Sequence, residues 1–301
     1  MGTPAFAVPI LCALHDTQEV VGVFTQPDRP AGRGRQVALS PIKQAALAHR
    51  LPAFQPKTLR SAKVQEELRS LRPDVIVVAA YGLILPQAVL DGPPKGCLNV
   101  HASLLPKYRG ASPIAFAILA GENQTGVSIM LMDAGLDTGP ILSQLAIPVE
   151  ADDTAGSLEG KLSALAAELL AETLPSWLNS ALTPQPQDDQ AASLTRLLSK
   201  ADGLIDWTQP AAEIVRRIRA FNPWPGAYTF WHSQPLKLLR AATMTKAHEP
   251  GHVFGHAGAV LVGAGEGSVE VVQVQPAGKR AMSAAEFVRG HADFIGSGLG
   301  L

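Results

Sequence analysis

The chain has 301 residues, 47% hydrophobic and 17% charged, with a net charge of −1. At ~100–200 residues per domain it has room for two domains, each able to bury a core. The balanced charge excludes a generally basic protein that coats nucleic acid, though not a local basic site, and two cysteines exclude a disulfide framework or a cysteine-rich zinc site.

Both cysteines, Cys12 and Cys97, are expected to be reduced and buried. No apolar run reaches the ~20 residues of a membrane span. No signal segment opens the chain, which predicts a cytoplasmic protein.

In chain order, Gly2-Thr3-Pro4 predicts a turn into a helix over 5–15, with Thr3 as its cap and Pro4 at its first position. VVGVFT predicts a buried strand over 20–25. Residues 26–43 read as a loop rich in Pro, Gly and Arg, where Arg29, Arg33, Arg35 and Lys43 against Asp28 leave a charge of +3. Short helices are predicted over 42–49 and 62–71, the second capped by Ser61.

VIVVAA predicts a second apolar strand over 75–80, and further strands are expected over 97–101, 126–133 and 141–149, with a helix over 112–120. Continuous apolar strands between helices indicate an α/β unit with a mostly parallel sheet covered on both faces. A long helix over 155–174 carries Leu158, Leu162, Leu165 and Leu169 at helical spacing, with Thr154 as its cap.

Around 182–191 the composition turns polar and proline-containing, which predicts a linker. The expected division is a first domain over 1–180, a linker over 181–203 and a second domain over 204–301. In the second, strand-like runs over 227–231, 236–241, 259–262 and 269–275 alternate with Gly-rich turns, the pattern of a small antiparallel barrel or sandwich. Ser283 and Glu286 form a capping box before a last helix. Residues 204–301 carry a net charge of +2 and residues 1–203 a net charge of −3.

The chemistry concentrates in two segments. Asn99 and His101 are two apart on a strand and project together at its end. Sites in open parallel sheets lie beyond the carboxyl ends of the strands. Asp137, in the turn of DAGLDTG between two further strands, is placed to reach His101 if those strands are neighbours. An amide, an imidazole and a carboxylate without a serine or cysteine nucleophile suit direct acyl transfer, with the attacking group supplied by the substrate. Asn99 and His101 would hydrogen-bond the oxyanion of the tetrahedral intermediate, and the same set would pass the proton. Taken singly, Asn99 with His101 is also a plausible structural pair and Asp137 a plausible turn-former. His252 and His256, at i and i+4 without a helical context, do not form a metal site.

Seven stretches run in order along nearly the whole chain: GTPAFA (2–7), VFTQPDRPAGRGR (23–35), AYGLILP (80–86), CLNVHASLLPKYRGASPI (97–114), MDAGLDTGPIL (132–142), IRAFNPWPGAY (218–228) and QPAGKRAMSA (275–284). Together they closely resemble the methionyl-tRNA formyltransferase family. The resemblance implies a Rossmann-type formyltransferase domain followed by a small antiparallel, OB-like β-barrel. It implies formyl transfer from 10-formyltetrahydrofolate, without a metal, to the α-amine of initiator methionyl-tRNA. The implied catalytic residues are Asn99, His101 and Asp137.

Ser103, Leu104, Leu105 and Pro106 map onto the stretch bordering the folate, and Tyr81, Leu83, Ile84 and Leu85 onto the pterin pocket. The loop over 26–43 maps onto a tRNA-contacting insertion, with most weight on Arg33 and with Arg29, Arg35 and Lys43 around it. Arg216, Arg217, Arg219, Lys279 and Arg280 are further candidates for contact with the acceptor stem. A monomer is expected. A formyltransferase of the same superfamily acting on a nucleotide sugar or on glycinamide ribonucleotide is the alternative, but it would lack the basic loop and the FNPWP segment.

Members of the family carry a short hydrophobic strand immediately before Gly-Thr-Pro, where this chain has Met1. The expectation is a start roughly 8 residues upstream, one strand's worth. Without that strand, the neighbouring strand edges would be left unpaired.

Overall fold

The continuous apolar runs of the first half become the strands of the first unit. The computed structural model describes residues 1–31 and 36–300. Among them the strands are β1 (Val23–Phe24), β2 (Arg29–Ala31), β3 (Gln36–Ala38), β4 (Ala53–Phe54), β5 (Ile76–Val78), β6 (Cys97–His101), β7 (Arg109–Gly110), β8 (Gln124–Leu131), β9 (Ile141–Pro148) and β10 (Leu194–Thr195).

β1 pairs parallel with β4, and β5 pairs parallel with β6. β6 then pairs antiparallel with β8, and β8 with β9, giving the order β5-β6-β8-β9. β6 is buried along almost all its length because neighbours flank it and both faces are covered. β9 closes the order as an edge strand and is half-exposed.

Met1 and Gly2 stand between β1 and β5. The Met1 amine donates to Val77 O at 2.6 Å, Ala79 N donates to Met1 O at 2.9 Å, and Gly2 N donates to Phe24 O at 3.0 Å. Beside them lies a cavity of about 370 Å³ lined by Gly22, Val23, Ile76 and Val77 among others. It lies apart from the candidate site, since Asn99, His101 and Asp137 do not line it.

α1 (Val8–Thr17) precedes β1, and α2 (Pro41–Ala48), α3 (Ala62–Ser70) and α4 (Gln87–Leu90) fall between strands; α5 (Pro113–Ala120), which groups with the second unit from Ile114 on, and α6 (Ala155–Leu178), which groups with the first from Glu159 on, follow. Ser40 caps α2 by accepting from Lys43 N. Thr154 accepts from Ser157 N at 3.1 Å, so the expected cap of α6 forms. Ser61 makes no side-chain cap bond, and Thr3 does not cap either: its hydroxyl donates to Tyr81 O at 2.9 Å, tying the chain start to the loop after β5. In the α6 stripe Leu158, Leu162 and Leu169 are buried.

Cys97 is 1% exposed, and burial pushes its thiol up to about 12. Cys12 departs from the expectation: on α1 it is half-buried, with Sγ 3.7 Å from His49 Nε2. Native protein should therefore alkylate at the half-buried Cys12 and take up the second equivalent, at the buried Cys97, only after denaturation. Mass spectrometry of the alkylated chain checks this, and rapid labelling of both in the native state would contradict it.

The chain divides into two compact units. One comprises Met1–Pro113, Gln124–Pro148 and Glu159–Thr195, and the other comprises Ile114–Asn123, Val149–Leu158 and the chain from Arg196 onward. The expected linker carries structure of its own, including β10, and is shared between the two, up to Thr195 in the first unit and from Arg196 in the second.

The second unit holds α7 (Ala211–Ala220) and the strands β11 (Ala227–Trp231), β12 (Gln234–Met244), β13 (Val253–His256), β14 (Ala259–Gly263), β15 (Ser268–Pro276) and β16 (Met282–Ser283), then α8 (Ala284–Gly290). All pairings of this sheet are antiparallel, in the open order β11-β12-β15-β14-β13 with β16 against β15. Among the described residues no pairing closes it into a barrel. The core joins α7 and α8 to the inward-facing residues of the sheet, among them Ile214, Ile218, Leu238, Val262, Val269 and Phe287. The Ser283–Glu286 capping box forms as expected. Among the described residues no helix is long and apolar enough to cross a membrane.

Candidate active site

Strand β6 ends the apolar part of the sheet in two polar side chains. Its register against β5 and β8 sets Asn99 beside Val78 and Met130, and His101 beside Ser128. The turn from β8 into β9 returns Asp137 to the same place. There Asn99 Nδ2 donates to Asp137 Oδ1 at 3.0 Å, and Gly110 N donates to Asp137 Oδ2 at 2.8 Å. His101 Nδ1 lies 3.6 Å from Asp137 Oδ2, with both side chains largely buried. The three residues thus come together although 38 positions separate Asn99 from Asp137.

The histidine tautomer follows from its partner. His101 Nε2 is 2.9 Å from Tyr108 O, and a carbonyl only accepts, so Nε2 carries a hydrogen. The edge that remains for chemistry is Nδ1, which faces the carboxylate at a separation longer than a hydrogen bond.

The loops that present these groups are internally braced. Asp133 Oδ1 accepts from Gly135 N and Thr138 Oγ1, which shapes the DAGLDTG turn. Asp137 itself adopts φ +53°, a left-handed conformation that aspartate tolerates better than most residues. Gly139 has no room for a side chain, because a Cβ there would sit 1.8 Å from Leu131 O.

On the other side, Ser103 Oγ donates to Lys107 O at 2.7 Å, and Ser128 Oγ bridges Ser103 O and Leu105 N. Ser103 and Leu105 are buried, Leu104 and Pro106 half-buried. These side chains therefore hold the 103–107 turn together.

In the loop after β5, Tyr81 turns into the core with Val78, Val89 and Cys97. Its hydroxyl is buried with no partner among the described residues, and burial raises its pKa to about 12. Leu85 is buried, Leu83 half-buried, and Ile84 is 80% exposed. β5 lies next to β6, so Ile84, with Leu83 half-buried against the core beside it, presents apolar surface beyond the strand adjoining Asn99 and His101.

The basic loop is anchored at its base. β2 and β3 pair as a hairpin, and Lys43 Nζ reaches Asp28 Oδ2 at 2.5 Å and Gln55 Oε1 at 2.6 Å. The Lys43 and Gln55 contacts hold the Asp28 carboxyl below the usual range. Lys43 thus braces the loop. Arg33 and Arg35 lie outside the described residues, and Arg29 opens β2.

In the second unit the arginines of α7 are also engaged. Arg216 Nε donates to Leu119 O at 3.2 Å, Arg217 Nη1 to Asp202 O at 2.7 Å, and Arg219 Nη1 to Asp153 O at 2.9 Å. Lys279 and Arg280 are exposed. Among the described residues no group of three or more His, Cys, Asp or Glu stands ready to hold a metal ion.

Sequence reasoning missed Gln187 and Arg109. Gln187 Nε2 donates to Asp137 O at 2.8 Å and Gly139 O at 2.7 Å, while its Oε1 accepts from Arg109 Nε at 3.0 Å. Gln187 sits in a stretch that composition marks as a linker, so no local pattern singles it out. Arg109 falls inside the KYRGAS stretch, but nothing in that stretch reveals its partner.

Fold and site lead to the same family. Residues 1–174 match the family model described as formyl transferase, and residues 197–292 match the one described as formyl transferase, C-terminal domain, so the chain belongs to the formyl transferases. The curated relatives it matches end to end are narrower in name. A methionyl-tRNA formyltransferase of Chloroflexus aurantiacus is 50% identical over 98% of this chain and 97% of its own. One of Magnetococcus marinus is 48% identical over 100% of this chain and 97% of its own.

Among solved structures, an N-formyltransferase of Helicobacter canadensis in complex with folinic acid and dTDP-3-aminofucose shares the fold, with TM-score 0.67 and 18% identity over 91% of this chain and 97% of that one. HypX of Aquifex aeolicus in complex with tetrahydrofolic acid matches with TM-score 0.59 and 19% identity over 80% of this chain, which spans 43% of HypX.

Proposed function

We propose that this chain transfers the formyl group of 10-formyltetrahydrofolate to the α-amine of initiator methionyl-tRNA. The observation that carries the proposal is the convergence of Asn99, His101 and Asp137 beyond the end of β6, in a chain half identical to methionyl-tRNA formyltransferases along its whole length.

10-Formyltetrahydrofolate supplies an activated formyl group: the substrate amine forms a C–N bond to the formyl carbon, the bond from that carbon to the folate nitrogen breaks, and tetrahydrofolate leaves with the proton that the amine gives up. Asn99 Nδ2 gives one hydrogen to Asp137 and directs the other to the oxygen on which negative charge develops. His101 takes up and returns the proton at Nδ1, because Nε2 is held by Tyr108 O. The Asp137 carboxylate balances the imidazolium that forms, as in other sites where a buried carboxylate backs a histidine.

The exposed Ile84, with the half-buried Leu83 beside it, suits the flat face of a pteridine, and the Tyr81 hydroxyl, buried with no partner among the described residues, lies on the same loop. Ser103, Leu104, Leu105 and Pro106 support the turn bordering it. Arg29, Arg33 and Arg35 take the tRNA backbone, on a loop that the Lys43–Asp28 pair anchors. Lys279 and Arg280 remain candidates for a further contact, whereas the α7 arginines serve the fold of the second unit. A part in translation initiation supports a cytoplasmic enzyme, and our reading is a monomer.

The decisive measurement is formylation with 10-formyltetrahydrofolate of charged initiator and elongator methionyl-tRNA in parallel. Preferential formylation of the initiator is expected. Equal use of both would refute the initiator assignment, and activity on an amino sugar nucleotide with none on tRNA would favour the superfamily alternative.

A further inference from the structure

Residues 185–195 run along the outside of the site. Gln185 and Ile141 exchange backbone hydrogen bonds of 2.8 Å each, and at the other end β10 pairs with β7, Leu194 beside Arg109. Between these two anchors Gln187 turns its amide inward, and each of its polar atoms meets a fixed partner. The Arg109 guanidinium only donates, so Gln187 Oε1 must face it. Both amide hydrogens then go to carbonyl oxygens, those of Asp137 and Gly139. Arg109 is 5% exposed, and its charge is paired with Asp189 Oδ1 at 2.7 Å.

Asp137 is therefore held twice from the same place. Gly110 N, one residue beyond Arg109, grips its carboxylate, and Gln187 grips its backbone carbonyl. That grip matters because Asp137 has a left-handed backbone, which the surrounding structure must hold in place.

We propose that Gln187, oriented by the buried Arg109, is a positioning residue for Asp137, the clamp that keeps its carboxylate in front of His101 Nδ1. The role rests on the formyl-transfer reading above. Gln187 makes no bond to substrate and acts through Asp137. Glutamate cannot replace it: a carboxylate would still accept from Arg109 but would set an oxygen against the two carbonyls. Methionine keeps the length and supplies no donor.

The test compares kcat and KM of the parent chain with those of Gln187→Glu and Gln187→Met, in the parent and in an Asp137→Asn background. Single-turnover conditions with enzyme in excess keep the slow variants measurable. Both substitutions should lower kcat by about 10–100-fold, the scale of a misplacement near 1 Å, with both KM values little changed. In the Asp137→Asn background the further loss should shrink to less than about 3-fold, because the two changes act on one element.

A kcat equal to that of the parent overturns the proposal. So does an equal fold-loss in both backgrounds, the mark of a residue that serves only the stability of the fold. A parent chain with no formyl transfer to any amine acceptor instead overturns the functional reading, and with it the role of Gln187.

Discussion

Replacing His101 with alanine is expected to lower kcat for formyl transfer by about 10²–10⁴-fold, the usual contribution of a positioned general acid–base group. The affinity for tRNA should stay at the parent value. His101 is 6% exposed and its imidazole is bonded to Tyr108 O, so it is placed for chemistry within the site and away from a solvent-facing tRNA contact. Single-turnover rates measured beside equilibrium tRNA binding separate the effects. A parallel loss of rate and affinity would contradict the assigned role.

Asp137→Asn is expected to cost a comparable factor, about 10²–10⁴ in kcat, for two reasons that act together. The first is geometric. Each carboxylate oxygen accepts from a fixed donor, Asn99 Nδ2 on one side and Gly110 N on the other. An asparagine has one acceptor oxygen, so its own NH₂ must oppose one of those donors. The second is electrostatic, since the negative charge facing His101 Nδ1 disappears and an imidazolium there loses its balance. The folate KM should move little, because the substituted group meets Asn99, His101 and Gly110 and not the 80–86 loop. Activity within threefold of the parent, in a variant that melts as the parent does, would remove Asp137 from the mechanism.

The local elements were legible wherever one period or one residue type decides them. β6 and β11 match their predicted spans, because a continuous or alternating apolar run bounded by turns has one good solution. The capping box at Ser283 and the Thr154 cap formed because each needs only a side chain and a backbone N–H three residues away. Thr3 and Ser61 have the same local chemistry and do not cap. Thr3 finds a better partner in the Tyr81 carbonyl, 78 residues on, which no local pattern contains.

The site divides along the same line. Asn99 and His101 could be paired from sequence because the pleat of a strand sets residues two apart on one face. The roles of the basic side chains could not be read in this way. Lys43 belongs to a basic loop by composition, yet it is taken up by Asp28 and Gln55. Arg216, Arg217 and Arg219 raise the charge of the second domain, yet backbone carbonyls hold them. Charge counts treat every cation alike, whereas its nearest acceptor decides whether it can meet a phosphate.

From the amino-acid order alone came the α/β class, the antiparallel second domain, and the residue types that acyl transfer requires. Periodicity, spacing and side-chain chemistry are properties of neighbours in the chain. The placing of Asp137 against His101, the choice of Nδ1 as the working edge, and the Gln187–Arg109 brace came from the folded molecule. Each depends on hydrogen bonds between segments far apart in sequence, and these form only once the sheet has set its strands in register.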